Sequence, residues 1–220
     1  MRQYEGDDMT VLFGTLGFRS EALLPAIKSA TDVEKIVFYH DHHESSLKAK
    51  SDVCSYCEQI GIKAVPIAVD DAFDFLLVAK RMKQDVRRYR KDGEEIVCFN
   101  IAGGTKLMSS AALLVSILEG IPATYVHDKT LQPFHLPLLR IKYSETLTTK
   151  QRAILRYILD HRDVEFSEKE LAGAVGVEKA TISHHVSRLV EKGIVTLVPK
   201  KGDRRMKIVK VEPAVELLLE

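Results

Sequence analysis

Two segments of this 220-residue chain hold residue types suited to binding phosphate. The first is Asn100-Ile-Ala-Gly-Gly-Thr-Lys-Leu-Met108. Paired glycines let a ligand approach the main chain, and free N–H groups at a helix start attract anions. Thr105 adds a hydroxyl and Lys106 a positive charge. The plainer alternative is a tight strand-to-helix turn with Lys106 in solvent. The second segment is Gly14-Thr-Leu-Gly-Phe18, half of a dinucleotide fingerprint that lacks the G-x-G-x-x-G spacing. Beside Gly103-Gly104 it suggests a two-loop phosphate cradle, with Thr15 as donor and Arg19 as a second cation.

Other chemistry is weaker. His40-Asp-His-His43 with Cys54-x-x-Cys57 invites a zinc site, but the cysteines fall at i, i+3 within a helix and no second CxxC accompanies them. The histidines are expected to line a cleft or meet solvent, and Cys98 to lie in the core. Arg156-x4-His161 matches the short R-x4-H pattern of HEPN ribonucleases. The region around it ends in a strand hairpin, so both residues read as exposed positions of a helix. Lys80–Lys91 holds seven cations, expected to form a solvated helix face, with a second nucleic-acid contact as the alternative.

The elements that must position these residues alternate. Val11–Gly14, Lys35–Tyr39, Ala64–Val69, Ile96–Ile101 and Ala123–His127 read as strands. Helices are expected at Ser20–Ser29, Ser45–Gly61, Asp70 to about Arg90, and Lys106–Glu119, with a final edge strand at Leu136–Ile141. Short strands separated by helices mean βαβ crossovers and a mostly parallel sheet, an α/β Rossmann-like architecture. Ligands bind such sheets beyond the carboxyl ends of the strands, where strand order reverses. The loops after the first, second and fourth strands are therefore the ones to watch.

The pattern changes after Tyr143, which places domains at residues 1–143 and 144–220, with Ser144–Thr149 as a polar junction. Lys150–His161 puts Ile154, Leu155, Ile158 and Leu159 on one helix face. Ser167-Glu-Lys-Glu170 is a capping box opening a second helix to about Val175. Lys179–Lys192 is a third, with Ile182, Val186, Leu189 and Val190 inward. Ile194–Pro199 and Met206–Val211 form a hairpin, and Pro213–Leu219 a closing apolar helix. This order is a winged helix-turn-helix. Residues 179–210 hold nine basic residues against Glu191 and Asp203, a net of +7 on the elements that would meet DNA. Lys179, Thr181, Ser183, His184, Ser187 and Arg188 on the third helix are the candidate groove-facing residues. Lys200, Lys201, Arg204 and Arg205 on the hairpin would grip phosphate or the minor groove.

Composition limits the alternatives. With 32 basic and 31 acidic residues the chain is no uniformly basic chromatin protein. No uncharged apolar run approaches the roughly 18 residues of a membrane span, so no membrane partner is expected. Met1–Asp8 is too polar and acidic for a secretory signal. Three cysteines are too few for a disulfide framework and suggest a reducing, cytoplasmic setting.

Thr-Leu-Gly-Phe after the first strand and Asn-x-x-Gly-Gly-Thr-Lys-x-Met after the fourth resemble the CRISPR-associated Rossmann-fold (CARF) domain. With the winged helix that follows, nearly the whole chain resembles the CARF–winged-helix transcriptional regulators of CRISPR loci, common in archaea. The resemblance implies antiviral defence, a homodimer, no cofactor, and a cyclic oligoadenylate effector across the two-fold axis. Cyclic tetra-adenylate is favoured over hexa-adenylate as the effector, and double-stranded DNA is the macromolecular partner. It implies ligand contacts at Thr15, Gly17, Phe18, Gly103, Gly104, Thr105 and Lys106, with Arg19, Asn100 and Met108 beside them. The rival reading is a ring nuclease that degrades the bound ring, drawing on Thr15, Thr105, Lys106 or a histidine of the His40–His43 loop. A nicotinamide-dependent reductase would need the full glycine fingerprint and leaves the winged helix unexplained.

Overall fold

A computed structural model describes residues 9–30, 32–137, 147–200 and 202–219. The chain divides into two compact units, Met1–Lys142 and Tyr143–Glu220.

The N-terminal unit is a six-stranded sheet. Strands β1 (Thr10–Thr15), β2 (Lys35–His40), β3 (Lys63–Ala68), β4 (Glu95–Asn100) and β5 (Ala123–Val126) run parallel, and β6 (Pro133–His135) returns antiparallel to β5. The order is β3-β2-β1-β4-β5-β6, so the sheet reverses direction between β1 and β4. Helices are α1 (Leu24–Ser29), α2 (Glu44–Gln59), α3 (Phe75–Lys91) and α4 (Lys106–Glu119).

Side-chain alternation assigns the two faces. Leu12, Ile36, Phe38 and Cys98 pack with Ile27 of α1 and with Ala49, Val53 and Cys57 of α2. The neighbouring positions Phe13, Tyr39 and Phe99 form an aromatic cluster with Tyr89 of α3. Pro66 and Pro133 both sit on edge strands, where a missing N–H costs no ladder bond.

Several expectations shift. The helix expected over Ser20–Ser29 is a 3-10 turn, Ser20–Ala22, then α1, because Pro25 has no N–H to donate back to Glu21 and is tolerated only in the first turn of a new helix. The helix expected from Asp70 begins at Phe75. Asp71 turns its carboxylate onto the N–H of Phe73 at 2.8 Å, and Asp74 caps the helix by accepting from Leu77. The edge strand expected at Leu136–Ile141 forms earlier. A turn closed by His127 N–H to the Gln132 carbonyl makes β5 and β6 a hairpin, and residues 138–141 lie outside the described ones.

The cationic face of α3 is exposed at Arg81, Arg88, Arg90 and Lys91, as expected, but it is also laced with ion pairs to the carboxylates of Asp85 and Glu119. Lys83 is 1% exposed and lies beside Glu119, which also pairs with Arg87 at 3.0 Å and Arg90 at 3.2 Å. Buried Asp85 takes Arg81, Arg88 and the hydroxyl of Tyr39. Burial, and then the Asp85 carboxylate, hold the Tyr39 phenol well above its ordinary pKa. Two carboxylates thus absorb most of the charge and tie α3 to α4 and to β2.

The C-terminal unit holds α5 (Thr149–Asp160), α6 (Glu168–Val175), α7 (Lys179–Glu191), the hairpin β7 (Val195–Lys200) and β8 (Asp203–Val211), and a short α8 (Glu216–Leu219). The Ser167–Glu170 capping box forms, and Thr148–Gln151 makes a second one at the start of α5. Ile154, Leu155, Leu171, Ile182, Val186, Leu189 and Val209 share one core. Val190, expected inward, is exposed, because it lies at the edge of the α7 stripe, about 80° from Ile182 on a 100° wheel. Val215, Leu217 and Leu219 are buried, so the apolar tail packs into the core of its own unit. No helix among the described residues is long and apolar enough to cross a membrane.

Candidate functional site

The reversal of strand order between β1 and β4 brings the loops after these strands together. Their contact is backbone to backbone. A Cβ on Gly17 would lie 2.8 Å from the Gly104 nitrogen, and one on Gly103 would lie 2.3 Å from the Thr15 carbonyl oxygen. These two glycines therefore let the loops pack main chain against main chain. Gly104 has φ +82° and lies over the Met108 side chain, so a side chain there is strained as well as crowded.

A cleft of about 790 Å³ opens at this junction. Of the sequence-derived ligand residues, it brings together Gly17, Phe18, Arg19, Gly103, Gly104, Thr105 and Lys106. Thr15, Asn100 and Met108 lie beneath it instead. Thr15 is buried and its hydroxyl donates to the Asn100 carbonyl, so it is not the expected donor. Asn100 is buried and accepts the Ala102 N–H through Oδ1. The Thr105 hydroxyl is also committed: it accepts from the Met108 N–H at 3.1 Å as N-cap of α4 and donates to the Ala72 carbonyl at 2.7 Å. What remains at the start of α4 is the Lys106 ammonium, exposed, and the positive end of the helix.

The cleft is not uniformly basic. Glu21, Asp41 and Asp128 line it with Arg19 and Lys106. Arg19 lies 3.9 Å from Glu21, and Asp41 accepts the His43 N–H. By formal count the lining is acidic, three carboxylates against two cations, and its positive end is Lys106 with the α4 terminus. The lining is also apolar and aromatic, with Phe73, Leu107 and Leu131, and with Phe18 against His43. Sequence reasoning missed Phe73. Its signal was an isolated phenylalanine within Asp70-Asp-Ala-Phe-Asp74.

The metal residues disperse. His40 is buried, with burial lowering its pKa, and its ring meets the Asp41 carbonyl. His43 caps α2. Cys57 is in the core, its thiol pushed up to about 11 by burial. Among the described residues no group of His, Cys, Asp and Glu is arranged to hold a metal.

On the C-terminal unit, α7 exposes Lys179, His184, Ser187 and Arg188, and half-buries Thr181 and Ser183. Arg188 pairs with Glu191 at 3.0 Å. Half-buried Lys200 ends β7; Lys201 and the side chains of Arg204 and Arg205 lie outside what the structure describes. A groove between α6, α7 and the hairpin adds Lys169 and Lys207 to Lys179, two cations the helix-and-hairpin reading did not single out. The HEPN-like pair is used structurally, with the Arg156 guanidinium donating to the Leu219 carbonyl and His161 stacked on Tyr157.

The fold is thus an α/β domain with a cleft at its switch point, followed in sequence by a winged helix-turn-helix domain. Residues 147–207 match the MarR family model, and residues 56–139 match that of a CRISPR-associated protein (Cas_APE2256). The chain thus carries a CARF-type CRISPR-associated domain followed by a MarR winged helix. Among solved structures, protein VC1899 from Vibrio cholerae aligns over 96% of this chain and 64% of its own, at 14% identity and TM-score 0.52, a likeness of fold. The Sulfolobus solfataricus regulator BldR matches 34% of this chain and 51% of its own at 27% identity and TM-score 0.31. The S. aureus MepR–DNA complex matches 33% and 54% at 20% identity and TM-score 0.32. The chain spans about half the length of such regulators. No curated protein matches the sequence.

Proposed function

We propose that the protein is a dimeric, ligand-responsive transcription regulator of CRISPR loci that senses cyclic oligoadenylate in the N-terminal cleft and binds double-stranded DNA through its winged helix. The observation that carries the ligand half is the cleft itself. It places an exposed cation and a helix N-terminus at one end of an otherwise mixed, partly aromatic lining. Its volume suits a nucleotide-sized group, since small-molecule sites run to about 300–1,000 Å³. Two such clefts about a two-fold axis would each hold half of a symmetric ring, and four equal nucleotides satisfy that symmetry.

Calorimetry with cyclic tetra- and hexa-adenylate, and AMP as control, tests this. Lys106→Ala removes a cation next to phosphate and should weaken the ring by about 1–3 kcal/mol for each charged hydrogen bond removed, twice over in a symmetric dimer. A ring that binds no better than AMP, or Lys106→Ala binding like wild type, overturns the ligand assignment. Sedimentation showing only a 24.7 kDa species removes the dimer. For DNA, replacing Lys200, Lys201, Arg204 and Arg205 by Ala should flatten the salt dependence of affinity, by about 0.9 in log–log slope for each phosphate no longer neutralised. An unchanged slope takes the hairpin out of the interface.

A further inference from the structure

Phe18 is 60% exposed and Phe73 is 72% exposed, the largest exposure among the large apolar side chains described. Both line the same cleft. A phenylalanine left in water forgoes the favourable burial that cores obtain, so two on one cleft point to a partner that covers them. Neither is loosely placed. Phe18 lies against the His43 ring, centroids 4.4 Å apart and planes 31° apart. His43 is fixed at both ends: its Nδ1 accepts the Ser45 N–H at 3.2 Å, and its own N–H donates to Asp41 at 3.0 Å. The Phe73 main chain is held by the Asp71 turn. The adjacent Ala72 carbonyl accepts the Thr105 hydroxyl, the same group that caps α4 beside Lys106.

We infer that Phe18, supported by His43, and Phe73 form a nucleobase platform, so that the cleft reads a planar base as well as a phosphate. The inference rests on the reading of the cleft as a nucleotide site. Aromatic faces with a rigid backing suit stacking, whereas aliphatic packing would not need them. The Lys106 cation belongs to the same lining, so one cleft offers both an aromatic surface and a positive charge. One hydroxyl, that of Thr105, ties the lip holding Phe73 to the N-terminus of α4.

The test uses the full chain, two probes and surface variants that leave the core untouched. The probes are cyclic tetra-adenylate, by calorimetry, and 2-aminopurine riboside 5′-monophosphate, whose emission is quenched by stacking. Phe18→Ala and Phe73→Ala should each weaken the ring about 5- to 150-fold, the range for removal of one base–aromatic stack. Phe18→Leu should weaken it similarly, and Phe18→Trp should restore both affinity and quenching. Rings that bind all four variants like wild type, while Lys106→Ala binds weakly, overturn the platform and leave the nucleotide reading standing. No ring binding, but Phe18-dependent quenching of the 2-aminopurine nucleotide, supports the platform and overturns the cyclic ligand. If neither probe binds, both fall.

Discussion

Replacing Gly103 by Ala separates two roles for the glycine loop. The new Cβ would sit 2.3 Å from the Thr15 carbonyl oxygen and 2.9 Å from Leu16 Cα, both main-chain atoms. Neither yields easily: Thr15 lies in β1, paired with β2, and the Leu16 N–H donates to the Tyr39 carbonyl at 2.8 Å. Relief needs the loops to part by about 1 Å, and overpacking of this kind costs about 1–3 kcal/mol, here toward the upper end because backbone must move. For a unit of this size about 3 kcal/mol lowers Tm by about 6–12 °C. Scanning calorimetry of the full chain without ligand should show the N-terminal transition falling by that amount while the winged-helix transition stays in place. Gly173→Ala is the contrast. It meets no atom within 4 Å, lies in α6, and should stabilise the winged helix by about 0.5–1 kcal/mol, raising its transition. If Gly103→Ala leaves the N-terminal transition unmoved yet loses the adenylate ring, the glycine exists for the ligand and the packing argument is refuted.

Glu119→Gln removes the anion shared by Lys83, Arg87 and Arg90; with Lys83 buried, the substitution should cost about 3 kcal/mol, read as a drop in the N-terminal transition only. Cys98 is buried, with its thiol pushed up to about 11. Its folded pKa lies above the unfolded value of about 8.5, so its contribution is intact below that pH and lost as pH rises toward about 11. Urea midpoints of wild type should therefore fall on going from pH 8 to 10, more than those of Cys98→Ala, and a disulfide reagent at pH 8 should modify Cys98 only on unfolding. Ser167→Ala should cost the winged helix about 1 kcal/mol at pH 7. The Ser167 N–H and hydroxyl hold the Glu170 carboxyl below the usual range. Its contribution is therefore present above the ordinary carboxylate pKa and lost as pH falls through the depressed one, so the gap between Ser167→Ala and wild type should narrow in acid to that of the N-cap bond alone.

Much of the architecture was legible because it depends on near neighbours in sequence. Apolar runs of five or six residues between helical stretches specify βαβ crossovers; Ser167 and Glu170 specify a helix start three residues apart; Ile182, Val186 and Leu189 specify which face of α7 goes inward. The rule that ligands meet parallel sheets where strand order reverses then located the cleft before any coordinate did, at the loops holding Gly17 and Gly103. Errors of local reading had local causes: Pro25 broke a helix, and Asp71 captured an N–H that delayed α3 until Asp74 could cap it.

What only the tertiary structure decided is how each polar group is spent. The Thr15 hydroxyl meets a carbonyl 85 residues away, and the Thr105 hydroxyl one 33 residues away, so two groups with the chemistry of ligand donors are consumed by packing. Gly17 and Gly103 look like an invitation to phosphate, yet the atoms that exclude a Cβ belong to the opposite loop. The cations of α3 look like no more than a solvated face, yet Glu119, at the far end of α4, gathers three of them. Phe73 has only a faint local signature, a lone phenylalanine among aspartates, and its exposure on the cleft emerges only when the Asp71 turn and the Ala72–Thr105 bond set the lip. Residue type and spacing encode what a side chain can do; the long-range contacts that satisfy buried polar groups determine which side chains are left to do it.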